Sequence, residues 1–230
     1  VHTRCNHDHG LDKEQSHTAY WYRNIGSELR LIALDTVNRF GGWQGCLHRE
    51  QFEWLSHLLD ESKDKYVVLT SHHPLENLFN GYAPEEERSP ALEEELRRLL
   101  EKHPNVILWF SGHVHDHKIT QSRNSDGSHA FWEIRTGSHI DWPQQSRTIE
   151  IVKSNNGKIA IGTVVFDHAG PVVFSGTPDE LADPVALAGL SRLLAANDWQ
   201  RQQDGPFNIE LLAGEPEDRN IWLWANDPLM

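Results

Sequence analysis

The chain has 230 residues, 38% hydrophobic and 24% charged, with a formal charge of −13 from 21 basic and 34 acidic residues. That length can bury a sizeable core as one large domain or a domain with an appendage, and no apolar run approaches the roughly 20 residues of a membrane span. The acidic field repels polyanions and argues against nucleic-acid binding through a basic surface.

A small phosphorylated substrate held by a metal stays open, because a bound cation dominates its local field. Cys5 and Cys46 make no disulfide scaffold, and no CxxC pair suggests zinc. The redox compartment is therefore not readable, and cytoplasmic and exported locations both stay open. The sequence starts at Val1 without an initiator methionine or a signal peptide, so a processed or truncated product is expected. Fifteen histidines are many for this length; they supply metal ligands and proton carriers.

Residues 20–35, YWYRNIGSELRLIALD, read as two strands of a hairpin ending at Asp35. GGW at 41–43 marks a loop. From His48 to about Asp60, Phe52, Leu55, Leu58 and Leu59 recur at helical spacing. KYVVLT (65–70) is a short buried strand running straight into SHHP, and NGYAPEEERSP is an acidic solvated loop. A second helix is expected from Pro90 to Lys102, with Ser89 as N-cap and Leu92, Leu96, Leu99 and Leu100 buried.

NVILWF (105–110) is the next buried strand, followed by the strand-like HAFWEI, RTIEIV and KIAIGTVVF. Asn155-Asn156-Gly157 turns the chain between the last two. In the tail, TPDE (177–180) matches a capping box. Asp183-Pro184 opens a helix to about Asn197, with Leu187, Leu190, Leu193 and Leu194 facing inward. The division expected is a main domain over 1–170 and an extension with one packed helix over 171–230. The order of elements suggests an α/β (α+β) mix of layered sheets and helices.

The chemistry concentrates where two apolar strands end. VVLTSHHP gives His72 and His73; VILWFSGHVH gives His113 and His115. Loops at strand ends are where open α/β architectures place ligands. In an extended loop, residues two apart turn toward one side, so His113 and His115 could address one ion or two neighbours. Gly112 permits a sharp turn. The two strands, 66–71 and 105–111, must then be sheet neighbours, with His72, His113 and His115 pointing into one cleft. His73, His117 and His129 read as capped, partly exposed polar residues, and His117 is assigned to the loop surface.

SHHP followed by SGHVH resembles the second half of the calcineurin-like metallophosphoesterases, whose ordered signature is DxH, GD, GNH(D/E), a lone His and GHxH. LIALDTVN, the stretch 41–55, FWEIRTGSHIDWPQQSRTIEI and PEDRN extend the likeness toward a bacterial subgroup over most of residues 17–168. The resemblance implies a four-layer αββα sandwich, here incomplete at the N-terminus, and a phosphoesterase with two divalent or trivalent ions (Mn, Fe, Zn or Ni) acting on a small phosphorylated substrate. It implies that His72 and His113 hold one ion and His115 the other. Two cations about 3.5–4 Å apart can clamp a phosphoryl oxygen and activate water.

No DxH or GD occurs in the chain. This portion is therefore expected to be the C-terminal part of a longer enzyme, incomplete alone, with the other ligands upstream of Val1 or on a second chain. CNHDHG (5–10) leaves open a degenerate GNHD with Asn6 as ligand and His7 as proton donor; Cys5 replaces the glycine its turn wants. His139 and Asp141 either line the substrate pocket or sit in an ordinary turn, His139 being the one tentative catalytic group. Trp142 reads as packing, and Asp35 and Asn38 as structural hydrogen-bonders. Two alternatives remain: a catalytically silent scaffold of the same fold, and a metallo-β-lactamase-like hydrolase, for which HVHDH is one residue short of HxHxDH.

Overall fold

The computed structural model describes residues 19–171, 173, 175–198 and 209–230. Its elements are β1 (Trp21–Ile25), β2 (Leu29–Leu34), α1 (Arg49–Asp60), β3 (Tyr66–Ser71), α2 (Glu93–Leu100), β4 (Val106–Ser111), β5 (Lys118–Arg123), β6 (His129–Arg135), β7 (Gln145–Lys153), β8 (Lys158–Asp167), α3 (Pro178–Ala182), α4 (Pro184–Ala196), α5 (Ile209–Leu212) and β9 (Ile221–Asn226). Single 3₁₀ turns sit at Leu75–Asn77 and Pro216–Asp218.

Six strands form a mixed sheet in the order β1-β2-β3-β4-β6-β5, and three form an antiparallel sheet in the order β7-β8-β9. β2, β3, β4 and β6 run parallel, so their C-terminal ends share one rim. β3 and β4 are neighbours there, as the histidines required.

Burial explains the sequence pattern. YVVL and VILW are almost continuously apolar because β3 and β4 are covered on both faces. On one face Ile32, Val67, Leu69, Val106 and Trp109 meet Leu55, Leu59, Leu96 and Leu100 of the helices. On the other, Tyr66, Val68, Leu108 and Ile134 meet Ile159, Ile161 and Leu223 of the second sheet. Each such side chain contributes about 1.5–3 kcal/mol of burial. At the rim, buried Gln51 of α1 accepts from Asp35 N–H (2.9 Å) and donates to the Asp35 carbonyl (2.6 Å), tying the end of β2 to the helix layer.

Several expectations change. α2 begins at Glu93, with Leu92 rather than Ser89 as its N-cap, because Ala91 pairs with Leu47 in an antiparallel bridge that holds the backbone extended. β5 was not anticipated: KITQSR is a polar edge strand, half-solvated and without a clean apolar period. β9 was missed too, although IWLWAN alternates Leu223 and Ala225 inward with Trp222 and Trp224 outward. The capping box at Thr177 and the Asp183 cap form as expected.

α4, however, buries Ala186 and Gly189 and leaves Leu187, Leu193 and Leu194 exposed. A Cβ on Gly189 would lie 2.3 Å from the Pro171 carbonyl oxygen, so the close approach selects the small-residue face. Among the described residues three layers are seen, helices, large sheet and small sheet. The outer face of the small sheet exposes Val164, Phe166, Trp222 and Trp224 where a fourth layer was expected. No helix among these residues is long and apolar enough to cross a membrane.

Candidate metal centre

β3 delivers His72 and His73, and β4 delivers His113 and His115, onto the shared rim. Gly112 N–H donates to the His72 carbonyl (3.0 Å), which joins the two loops directly. His113 Nδ1 lies 3.1 Å from His72 Nε2. His72 is exposed and His113 partly so. Burial, then the neighbouring histidines, lowers the His72 pKa and takes His113 down to about 4. Both are therefore neutral imidazoles at pH 7, the form that binds metal.

His113 and His115 have φ of +68° and +65°. A residue with a Cβ in this left-handed region is strained by about 1–2 kcal/mol, and such strain concentrates at functional sites. The loop is thus tightly turned rather than extended. His113 reaches His72, whereas His115 hydrogen-bonds through Nδ1 to the Asp141 carboxylate. Among the described residues, the ligand atoms that lie within 4.8 Å of one another belong to His72, His73 and His113, and His115 stands outside that group of three.

His73 is nevertheless a poor ligand. It is 3% exposed, not partly exposed as expected. Its Nε2 faces the Trp43 carbonyl at 2.9 Å, and a carbonyl only accepts, so Nε2 carries the proton. Nδ1 then accepts from the Thr36 hydroxyl at 2.8 Å. Both nitrogens are occupied by protein, and His73 braces the rim.

β6 supplies the clamp between the two loops. Arg135 pairs with Glu76, just after SHHP, and with Asp116 at 2.7 Å, just after GHVH. Glu133, its carboxyl pushed up by burial, accepts from Leu75 N–H at 2.8 Å.

His117 lies behind the rim and is 1% exposed, which overturns its assignment to the loop surface. Its Nε2 faces Gln145 Oε1 at 3.2 Å, while Nδ1 accepts from Gly137 N–H (3.3 Å) and from Arg147 (3.1 Å). Burial and then the guanidiniums of Arg147 and Arg219 hold it neutral, with a pKa down to about 4. The cover comes from the chain's end. His117 N–H donates to the Leu212 carbonyl at 3.0 Å. Asp218 of PEDRN, 4% exposed, accepts from Lys118 Nζ at 3.1 Å and from Ile119 N–H at 2.9 Å.

Of the remaining residues singled out, His139 is exposed with Nε2 2.9 Å from Ser146 Oγ. Trp142 is half-buried. Asp35 and Asn38 make the hydrogen bonds expected of them: Asp35 caps Val37 N–H, and Asn38 reaches the Tyr82 carbonyl at 2.9 Å. Asn6, His7 and the His129 side chain lie outside what is described. Sequence reasoning missed Thr36, Trp43, Glu133, Arg135, Arg147 and Asp218, since each acts through partners distant in sequence.

The donor set fits a metal on one side. Neutral His72 and His113 present facing nitrogens whose sole hydrogen-bond partners among the described residues are each other. Among the described residues His115 Nε2 has no hydrogen-bond partner, while a carboxylate orients Nδ1, the arrangement that aims a histidine at a cation. The sequence model described as calcineurin-like phosphoesterase matches residues 1–117. The structure is similar to a dimetal phosphatase from Danio rerio, with 16% identity, a TM-score of 0.41, and coverage of 62% of this chain and 56% of that one. No curated protein matches.

Proposed function

Because the chain belongs to the calcineurin-like phosphoesterases, we propose that it hydrolyses small phosphoric esters, with metal ions held at the His72–His113 edge and at His115. The observation that carries this reading is the pair of facing neutral nitrogens, 3.1 Å apart, at the ends of two parallel strands. We read the layers described as three of the four in an αββα sandwich.

His72 Nε2 and His113 Nδ1 hold one ion, and His115 Nε2 holds the other, aimed by Asp141 behind it. Two bound ions, Mn, Fe, Zn or Ni, would supply Lewis acidity toward a phosphoryl oxygen and lower the pKa of water. Arg135 and Glu133 keep both loops in register. His139, exposed with Nε2 on Ser146 Oγ, would either position the ester or donate the proton to the leaving oxygen. Neither DxH nor GD occurs in this sequence, so metal binding by this chain alone should be weak. That absence also favours a second reading, a silent scaffold of the same fold; family membership sets aside the metallo-β-lactamase alternative.

Calorimetric titration with Zn²⁺ or Mn²⁺ decides between them. The binding heat should fall at least tenfold in affinity in His113→Ala and in His115→Ala and persist in His117→Gln. In turnover of an aryl phosphate, His139→Ala should raise KM if it positions, or lower kcat about 10²-fold if it donates a proton. Identical titrations for all variants, or no metal in the wild type, overturns the enzyme reading and leaves the scaffold.

A further inference from the structure

We infer that Trp43, with Phe79 at its edge, is the binding platform for a flat aromatic leaving group, so that the esters taken at this site are aryl or nucleoside phosphates. This rests on the metal reading above. The Trp43 ring lies parallel to His113, with centroids 5.9 Å apart and planes at 15°. Phe79 meets Trp43 edge-on at 6.0 Å and 89°. Trp43 is 64% exposed and Phe79 50%. Single exposed apolar residues are ordinary; two aromatic rings in contact, aligned with an imidazole of the candidate centre, form a stacking surface.

The loop beneath is held firmly. His73 donates to the Trp43 carbonyl (2.9 Å), Asn80 Nδ2 to the Gly41 carbonyl (2.7 Å), and Gly45 N–H to the Asn77 carbonyl (2.9 Å). A Cβ on Gly45 would come within 2.7 Å of the His73 ring, so backbone and histidine are in direct contact. The same histidine thus braces the metal edge and fixes the tryptophan beside it. A rigid, presented indole binds aromatic rings at low entropic cost and tolerates any flat π-face. A phosphate at the His72–His113 edge places an esterified ring against that face, whereas an alkyl ester has nothing to stack.

The test uses the full chain labelled with 5-fluorotryptophan and read by ¹⁹F NMR, the Trp43 line being the one lost in Trp43→Leu. Mn²⁺ should broaden that line while sparing Trp222 on the far sheet. In the Zn²⁺-loaded protein, phenyl phosphate and AMP should shift it and glycerol 2-phosphate should not. Trp43→Leu should weaken the aromatic esters about tenfold and leave the alkyl ester unchanged. Tighter binding of AMP than of phenyl phosphate assigns nucleosides, and the reverse assigns simple aryl groups. Absence of Mn²⁺ broadening removes the metal site and this platform together. Broadening with equal binding of all three esters, or with no effect of Trp43→Leu, overturns the platform alone.

Discussion

The loop that carries GHVHDH has a front and a back, and they treat the same side chain in opposite ways. At the front, His72 and His113 partner only each other among the described residues, and His113 holds a strained backbone. At the back, His117 has both ring nitrogens bonded to protein, and Arg147, Gln145 and the Asp218 segment close over it. The front stores strain and unused donors, which suits ligand binding. The back stores satisfied hydrogen bonds, which suits rigidity. A histidine's function here follows from how many of its nitrogens the fold has already taken.

The largest effect that tests this contrast is at the back. Asp218→Ala removes the acceptor of Ile119 N–H and of the half-exposed Lys118 Nζ and should cost about 2–3 kcal/mol in urea denaturation, chiefly from the orphaned backbone donor, with the solvent-screened ion pair adding little. Gly214→Ala should be comparably damaging: φ is +70°, and the new Cβ would lie 2.4 Å from the His117 carbonyl. A loss below 1 kcal/mol in both variants would mean that the C-terminal segment merely rests on the loop.

Acid gives a smaller effect. His117 titrates at about 4 in the folded chain against an ordinary 6.5. Between those values the unfolded chain binds more protons, so the stability held by neutral His117 is present above pH 6.5 and is lost as pH falls through 4. Its full size is at most about 3 kcal/mol. Thermal unfolding followed from pH 7 to 4.5 should show a shallower decline in His117→Gln than in the wild type. Parallel curves would place His117 outside the acid response.

The smallest effect reverses sign. His113→Gly relieves the positive φ at the front and should leave stability unchanged or raised by up to about 1 kcal/mol, while weakening metal binding at least tenfold. Stabilisation that comes with loss of the ligand marks a strained functional residue; destabilisation would make His113 structural, like His117.

Much of this was legible in the sequence. Near-continuous apolar runs identified β3 and β4, and their endings placed His72 and His113 on one rim, because a buried parallel strand leaves polar chemistry nowhere but its ends. The turn at Asn155-Asn156-Gly157 and the caps at Thr177 and Asp183 are local, carried by residues within a few positions of each other. What the sequence could not sort was the histidines themselves. His73 became a brace because Thr36 and Trp43 reach it from 37 and 30 residues away. His117 became core because Lys118 and Ile119 are held by Asp218, about 100 residues later in the chain. The inward face of α4 was set by contact with Pro171, not by its leucines. Periodicity and caps are short-range and show in the order of residues, whereas burial and hydrogen-bond saturation depend on which distant segments meet, and that only the tertiary structure decided.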